Sequence, residues 1–170
     1  AIKRAFETGG RSVVRGLGHL VDDVRHNGGM PTPTGRSALT VGEDLADTPG
    51  TVVYRDEVLE LIQYTPTTDQ VRERPLMIVP PPIGRFYFLD LRPGRSFVEY
   101  AVGQGLTVFM ISWRNPDVRH REWGLSSYVE AVEEAMNICR AITGAREVNL
   151  MGACAGGLAI APLQGHLQAK

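Results

Sequence analysis

The sequence has 170 residues, 43% hydrophobic and 22% charged. That balance suits one globular domain and excludes a disordered tail or a coiled-coil rod. Lysine and arginine number 18 against 19 acidic residues, a net charge of −1, without the basic excess of a nucleic-acid binder. No apolar run approaches the ~20 residues of a membrane span. Two cysteines, Cys139 and Cys154, make no disulfide framework. Ile2-Lys3-Arg4-Ala5-Phe6 is charged, and no apolar run of the secretory kind follows it. A reducing, cytoplasmic setting is the expectation. The sequence opens on Ala1 and stops at Lys170 in mid-pattern, which reads as a piece of a longer protein.

Taken in chain order, Val13, Val14, Leu17, Leu20, Val21 and Val24 recur at helical spacing and predict a short amphipathic helix, weakened by Gly16 and Gly18. The aperiodic stretch Asn27 to Gly35 reads as a connecting loop, with a partner-binding arm as the alternative. Val52-Val53-Tyr54 and Val58 to Tyr64 read as two short strands around Arg55-Asp56, a weak hairpin turn by composition. Three continuous apolar runs follow: Leu76 to Val79, Leu106 to Trp113 and Val148 to Met151. Such runs suit strands buried on both faces of a parallel sheet.

Helices are predicted between them. Ser96 with Glu99 has capping-box spacing, and Gly103 and Gly105 close that segment. Ser127 with Glu130 is a second such pair. From Leu125 to Ile142 one apolar face repeats, ending at Gly144. Strand, helix, strand, helix, strand is an α/β signature.

The third run leads into Gly152-Ala153-Cys154-Ala155-Gly156-Gly157, with a helix expected from Leu158. This is the G-x-S-x-G nucleophile elbow with Cys in place of Ser. The nucleophile of such an elbow sits on a strained strand-to-helix turn. Gly152 and Gly156 remove side chains that would clash there. The turn also puts the Cys154 thiol at a helix N-terminus, whose dipole favours the thiolate. The amide of Ala155 is one candidate oxyanion-hole donor. The second comes from the loop after an earlier strand, here Pro80-Pro81-Pro82-Ile83, where Ile83 is the first residue with an N–H to give. The bland alternative is that small residues around a cysteine merely allow tight helix–strand packing.

Cys139 lies on an apolar helical stripe and reads as a core thiol. No zinc spacing and no metal-ligand cluster is present. His166 falls on the helix that starts at the nucleophile, the wrong place for its base, so the acid and base are expected outside this chain.

Several strings, in order, give the sequence a specific resemblance to the polyhydroxyalkanoate synthases. They are Val41 to Ala46 with Thr48-Pro49-Gly50, Leu59 to Tyr64, Val79-Pro80-Pro81, Phe86-Tyr87 and Leu89-Asp90-Leu91. Ser112-Trp113-Arg114-Asn115-Pro116, Arg121 to Ser126 and Gly152 to Gly157 complete the set. Family members carry Ile-Asn-Lys where this chain has Ile83-Gly84-Arg85. The resemblance implies an N-terminal synthase region over residues 1–65 and the first part of an α/β-hydrolase catalytic domain over 66–170. It implies an acyltransferase that polymerises (R)-3-hydroxyacyl-CoA thioesters through a Cys154 acyl-enzyme, releasing CoA. No separate cofactor and no metal are implied, since the CoA thioester is itself the substrate. The growing polyester, the surface of cytoplasmic polymer granules and a second copy of the chain are the implied partners. A histidine base and an aspartate are implied beyond Lys170, which would leave these 170 residues inactive by themselves.

Strings resembling the medium-chain-length enzymes (Asn27 to Pro31, Arg121 to Ser126, Gly152 to Cys154) slightly outweigh those resembling the short-chain ones (Leu91 to Pro93, Thr107 to Ser112). Trp113, Trp123 and Asp90 read as structural, with a substrate-facing role for the Trp113 to Pro116 string as the alternative. Two other functions stay open: a cysteine hydrolase or thioesterase that passes the acyl group to water, and a piece that only binds or packs.

Overall fold

A computed structural model describes residues 2–31 and 39–169. They fall into two compact units, Ala1–Ala38 and Leu39–Lys170.

The first unit is a helix pair, α1 (Ile2–Glu7) and α2 (Arg11–His26). Gly9 and Gly10 join them with φ values of 55° and 85°, a conformation that favours glycine. The predicted amphipathic helix is α2, and it tolerates both internal glycines. Its six apolar residues, Val13 to Val24, are all exposed, and the helix buries none of its residues. The Asn27 to Gly35 stretch is described only to Pro31, so its remainder lies outside the described residues.

The second unit is built on one five-stranded sheet: β1 (Gly50–Arg55), β2 (Leu59–Tyr64), β3 (Leu76–Val79), β4 (Val108–Trp113) and β5 (Asn149–Gly152). The strand order is β1-β2-β4-β3-β5. The three apolar runs pair in parallel, as expected. β1 and β2 join them antiparallel, with Leu61 opposite Ile111, so the sheet is mixed and runs across position 65. The β1–β2 turn is made by a side chain. Asp56 Oδ1 accepts from the amides of Val58 and Leu59, both at 2.7 Å, an Asx-type turn that Arg-Asp composition does not advertise.

Three helices cover the sheet: α3 (Phe97–Gly103), α4 (Leu125–Thr143) and α5 (Ala155–Gln168). Alternation along the strands splits the core in two. Leu59, Leu61, Met77, Val79, Phe109 and Ile111 pack with α4 and α5. Tyr64, Ile78, Val108 and Met110 pack with Val98, Ala101 and Val102 of α3. Both faces are covered, which is why β3 and β4 read as unbroken apolar runs.

Helix ends bear out Ser96 and Gly144 and correct two helix starts. Ser96 Oγ accepts from the Glu99 amide at 2.9 Å, while the Glu99 carboxylate reaches the Gly94 amide at 2.7 Å instead of closing the box. α4 starts at Leu125 behind Gly124, not at Ser127. Its N-cap carries no side-chain bond, and Ser127 falls inside the first turn. Gly144 ends α4 in the left-handed conformation, φ 71°. α5 starts at Ala155, three residues before the expected Leu158. The helix thus begins directly at the residue after Cys154. Among the described residues, no helix is long and apolar enough to cross a membrane.

Candidate active site

The β5–α5 connection is the tightest in the second unit. β5 ends at Gly152 and α5 begins at Ala155, so Ala153 and Cys154 alone turn the chain. Cys154 takes φ 52° and ψ −122°, a conformation an L-residue holds only when its surroundings dictate it. Two glycines dictate it. A Cβ on Gly152 would lie 2.7 Å from the Gly157 backbone, and one on Gly156 would lie 2.0 Å from the Val79 carbonyl oxygen. Real Cβ atoms do not approach that closely, so neither position admits a side chain. The Ala153 amide donates to the same Val79 oxygen at 3.1 Å, fastening the turn to the end of β3. The Cys154 thiol is exposed at the carboxyl ends of parallel strands, where open α/β sheets collect their ligands.

The two amides expected as donors are those of Ala155 and Ile83. Ala155 is the first residue of α5, so its N–H has no intrahelical acceptor. The Gly84 amide closes a turn onto the Pro81 carbonyl at 3.0 Å. Among the described residues, the Ile83 amide makes no backbone hydrogen bond. Gly84 lies under the Pro81 ring, and a Cβ there would meet Pro81 Cγ at 3.1 Å.

The second cysteine is a different chemical object. Cys139 is fully buried on α4, and burial pushes its thiol up to about 12. Three of the described histidines have partners of their own. His26 Nδ1 lies 2.9 Å from Asp22, His120 stacks at 4.2 Å on Trp123, and His166 stands 3.7 Å from Glu133. His166 is in the last turn of α5, about 17 Å along the helix from its start.

Asp90 is buried, and its Oδ1 accepts from Thr48 Oγ1 at 2.6 Å and Ser96 Oγ at 2.7 Å. That network ties the segment before β1 to the cap of α3. The Tyr64 hydroxyl is buried beside this charge. Burial first, and Asp90 second, hold its ionisation well above the ordinary tyrosine range. Trp113 is half-buried at the end of β4. Its indole Nε1 donates to the Pro80 carbonyl at 2.7 Å, a bond between β4 and the β3 loop that no sequence signal announced.

The profile described as the poly-beta-hydroxybutyrate polymerase (PhaC) N-terminus matches residues 1–101 of this chain. The chain belongs to this polymerase family. The poly(3-hydroxyalkanoate) polymerase 2 of Ectopseudomonas oleovorans is 60% identical over 170 residues, all of this chain and 30% of that relative. The poly(3-hydroxyalkanoate) polymerase subunit PhaC of Cupriavidus necator is 39% identical over 97% of this chain and 28% of its own length. The chain thus spans about 30% of the curated relatives it matches. A Sulfolobus solfataricus crystal structure named as a lipase superposes with a TM-score of 0.51 at 15% identity, covering 71% of this chain and 47% of that one. The chain therefore carries the N-terminal part of an α/β-hydrolase fold, as the elbow string and the family resemblance implied.

Proposed function

We propose that Cys154 is the acyl-carrying nucleophile of a polyester synthase that polymerises (R)-3-hydroxyacyl-CoA thioesters. The single observation that supports this most is the Cys154 turn: an exposed thiol at φ 52°, between two glycines that cannot bear a Cβ. Packing alone asks for small residues. It does not ask for a strained, exposed cysteine at the carboxyl end of a strand.

The Cys154 thiolate attacks the thioester carbonyl carbon, forming a C–S bond. Negative charge develops on the carbonyl oxygen, and the amides of Ala155 and Ile83 receive it. The tetrahedral carbon collapses, the bond to the CoA sulfur breaks, and CoA leaves as its thiolate, which takes a proton from solvent. The 3-hydroxyl of another acyl unit then attacks the Cys154 thioester. A histidine base takes its proton, an ester bond forms as the C–S bond to Cys154 breaks, the Cys154 sulfur leaves as the thiolate, and the chain is one unit longer. By the family reading the histidine and its aspartate belong to sequence beyond residue 170. The same reading makes the enzyme a homodimer on polymer granules in the cytoplasm, with the CoA thioester as its substrate and the growing polyester and granule surface as its partners.

The test uses the complete reading frame. Free thiol released from (R)-3-hydroxyacyl-CoA and the mass of insoluble product are followed for wild type and Cys154→Ala. Polymer and thiol from the wild type alone are the expected result. Thiol with only soluble hydroxy acid would make the enzyme a thioesterase, and turnover by Cys154→Ala would remove the nucleophile assignment.

A further inference from the structure

We infer that Trp113 is a positioning residue for the oxyanion-hole loop, acting through the Pro80 carbonyl. The inference rests on the proposed role of Cys154 and adds a residue to that site.

β3 and β4 pair in parallel through Ile78 and Met110. β3 then stops at Val79, while β4 runs on to Trp113. The ladder cannot continue, because Pro80, Pro81 and Pro82 have no N–H to give. The overhanging strand end uses a side chain instead: the Trp113 indole donates to the Pro80 oxygen at 2.7 Å. On the other side of the same stretch, the Ala153 amide holds the Val79 oxygen at 3.1 Å. The bare Cα of Gly156 packs against both carbonyls. The β3 exit is therefore clamped between the nucleophile turn and the indole.

What is clamped at Pro80 is transmitted to Ile83. Pro81 and Pro82 have φ locked by their rings, and the Gly84 amide closes the turn onto Pro81. Few torsions remain between the anchored carbonyl and the Ile83 amide. The anchor is itself braced. Trp113 meets Tyr128 of α4 edge to face at 5.3 Å, and Tyr128 meets Trp123 at 6.4 Å. Here the indole N–H sets the donor that waits for the oxyanion.

The test uses the full-length enzyme and Trp113→Phe, which keeps a ring against Tyr128 and removes the N–H. Two rates are read at Cys154. One is single-turnover acylation by a 3-hydroxyacyl-CoA, which builds an oxyanion. The other is alkylation by iodoacetamide, which does not. A positioning role predicts acylation slower by about tenfold or more, alkylation at the wild-type rate, and a fall in kcat without a matching rise in KM. Tyr128→Leu, which loosens the indole but leaves its N–H, should show the same pattern at smaller size. It serves alone if Trp113→Phe does not fold. Wild-type acylation in both variants, or equal loss of acylation and alkylation, would overturn the inference and leave Trp113 as packing. Failure of wild-type Cys154 to form any acyl adduct would instead overturn the nucleophile reading, and this one with it.

Discussion

The carbonyl oxygen of Val79 occupies the place where Gly156 would carry its side chain, 2.0 Å from an ideal Cβ. Backbone faces backbone there, so no rotamer change can make room. Gly156→Ala should cost roughly 3 kcal/mol, at the upper end for overpacking, and should abolish thioester turnover by displacing the Cys154 turn. The neighbouring Gly157 is the control. A Cβ there meets nothing closer than 3.9 Å, and Gly157→Ala adds a better helix former, so stability should hold or rise by up to about 1 kcal/mol. Urea unfolding of both variants separates the two outcomes. A stable Gly156→Ala protein would contradict the close approach.

The two cysteines should part cleanly in reactivity. Cys154 is exposed and Cys139 is sealed in the α4 core. A thiol reagent added to folded protein at neutral pH should label Cys154 and spare Cys139, with Cys139 labelled only after denaturation. Peptide mass mapping reads this directly. Fast native labelling of Cys139 would mean that α4 opens locally.

Alkaline pH should weaken the fold through the same buried thiol. An unfolded cysteine ionises near its ordinary 9.0, whereas folded Cys139 holds its proton to about 12. Below 9.0 both states are protonated and the contribution is constant. Above it the unfolded state sheds a proton that the folded state keeps, so stability falls as pH climbs toward 12. Tyr64, raised by burial and by Asp90, adds a loss of the same sign above its ordinary 10.0. Unfolding midpoints at about pH 8 and about pH 10.5 should differ less for Cys139→Ala than for wild type. An identical pH slope would remove Cys139 as a cause.

Asp90 should prove structural. Asp90→Ala strands the Thr48 and Ser96 hydroxyls that now donate to it and should cost about 2–4 kcal/mol. Thr48→Val removes one donor and should cost about 1–2 kcal/mol. Denaturant melts give both values. An Asp90→Ala protein of wild-type stability that lost turnover would move Asp90 into the chemistry.

The legible parts of this fold were those with dense local patterning. β3 and β4 are buried on both faces, and their apolar runs say so; β5 carries such a run too, yet as an edge strand it is at most half-buried. The Gly152 to Gly157 string shows its two essential glycines because only backbone can fit beside backbone there. Other parts were hidden by the kind of force that makes them. The β1–β2 turn depends on one Asp56 carboxylate, which no dipeptide composition reveals. The antiparallel docking of β2 on β4 is a long-range pairing with no signal in either strand. α4 starts at Leu125 behind Gly124 without a side-chain cap, so the Ser127–Glu130 spacing misled by three residues, nearly a full turn. The Trp113–Pro80 bond spans residues far apart in sequence, and only the folded register brings them together.

The strand order β1-β2-β4-β3-β5 also constrains how the chain leaves the ribosome. The β1–β2 hairpin emerges early and can close on Asp56 by itself. Its inner neighbour, β4, is made only after β3, the intervening turns and α3. β3 must meanwhile stay clear of β2, because β4 later slots between them and touches both. Until Val108 to Trp113 have been synthesised, the open edge of Leu59 to Tyr64 is a bare template for a wrong strand. Translation speed over the stretch between β3 and β4 thus becomes a determinant of yield, and a slow tract there would lengthen the time in which nascent chains can pair with one another.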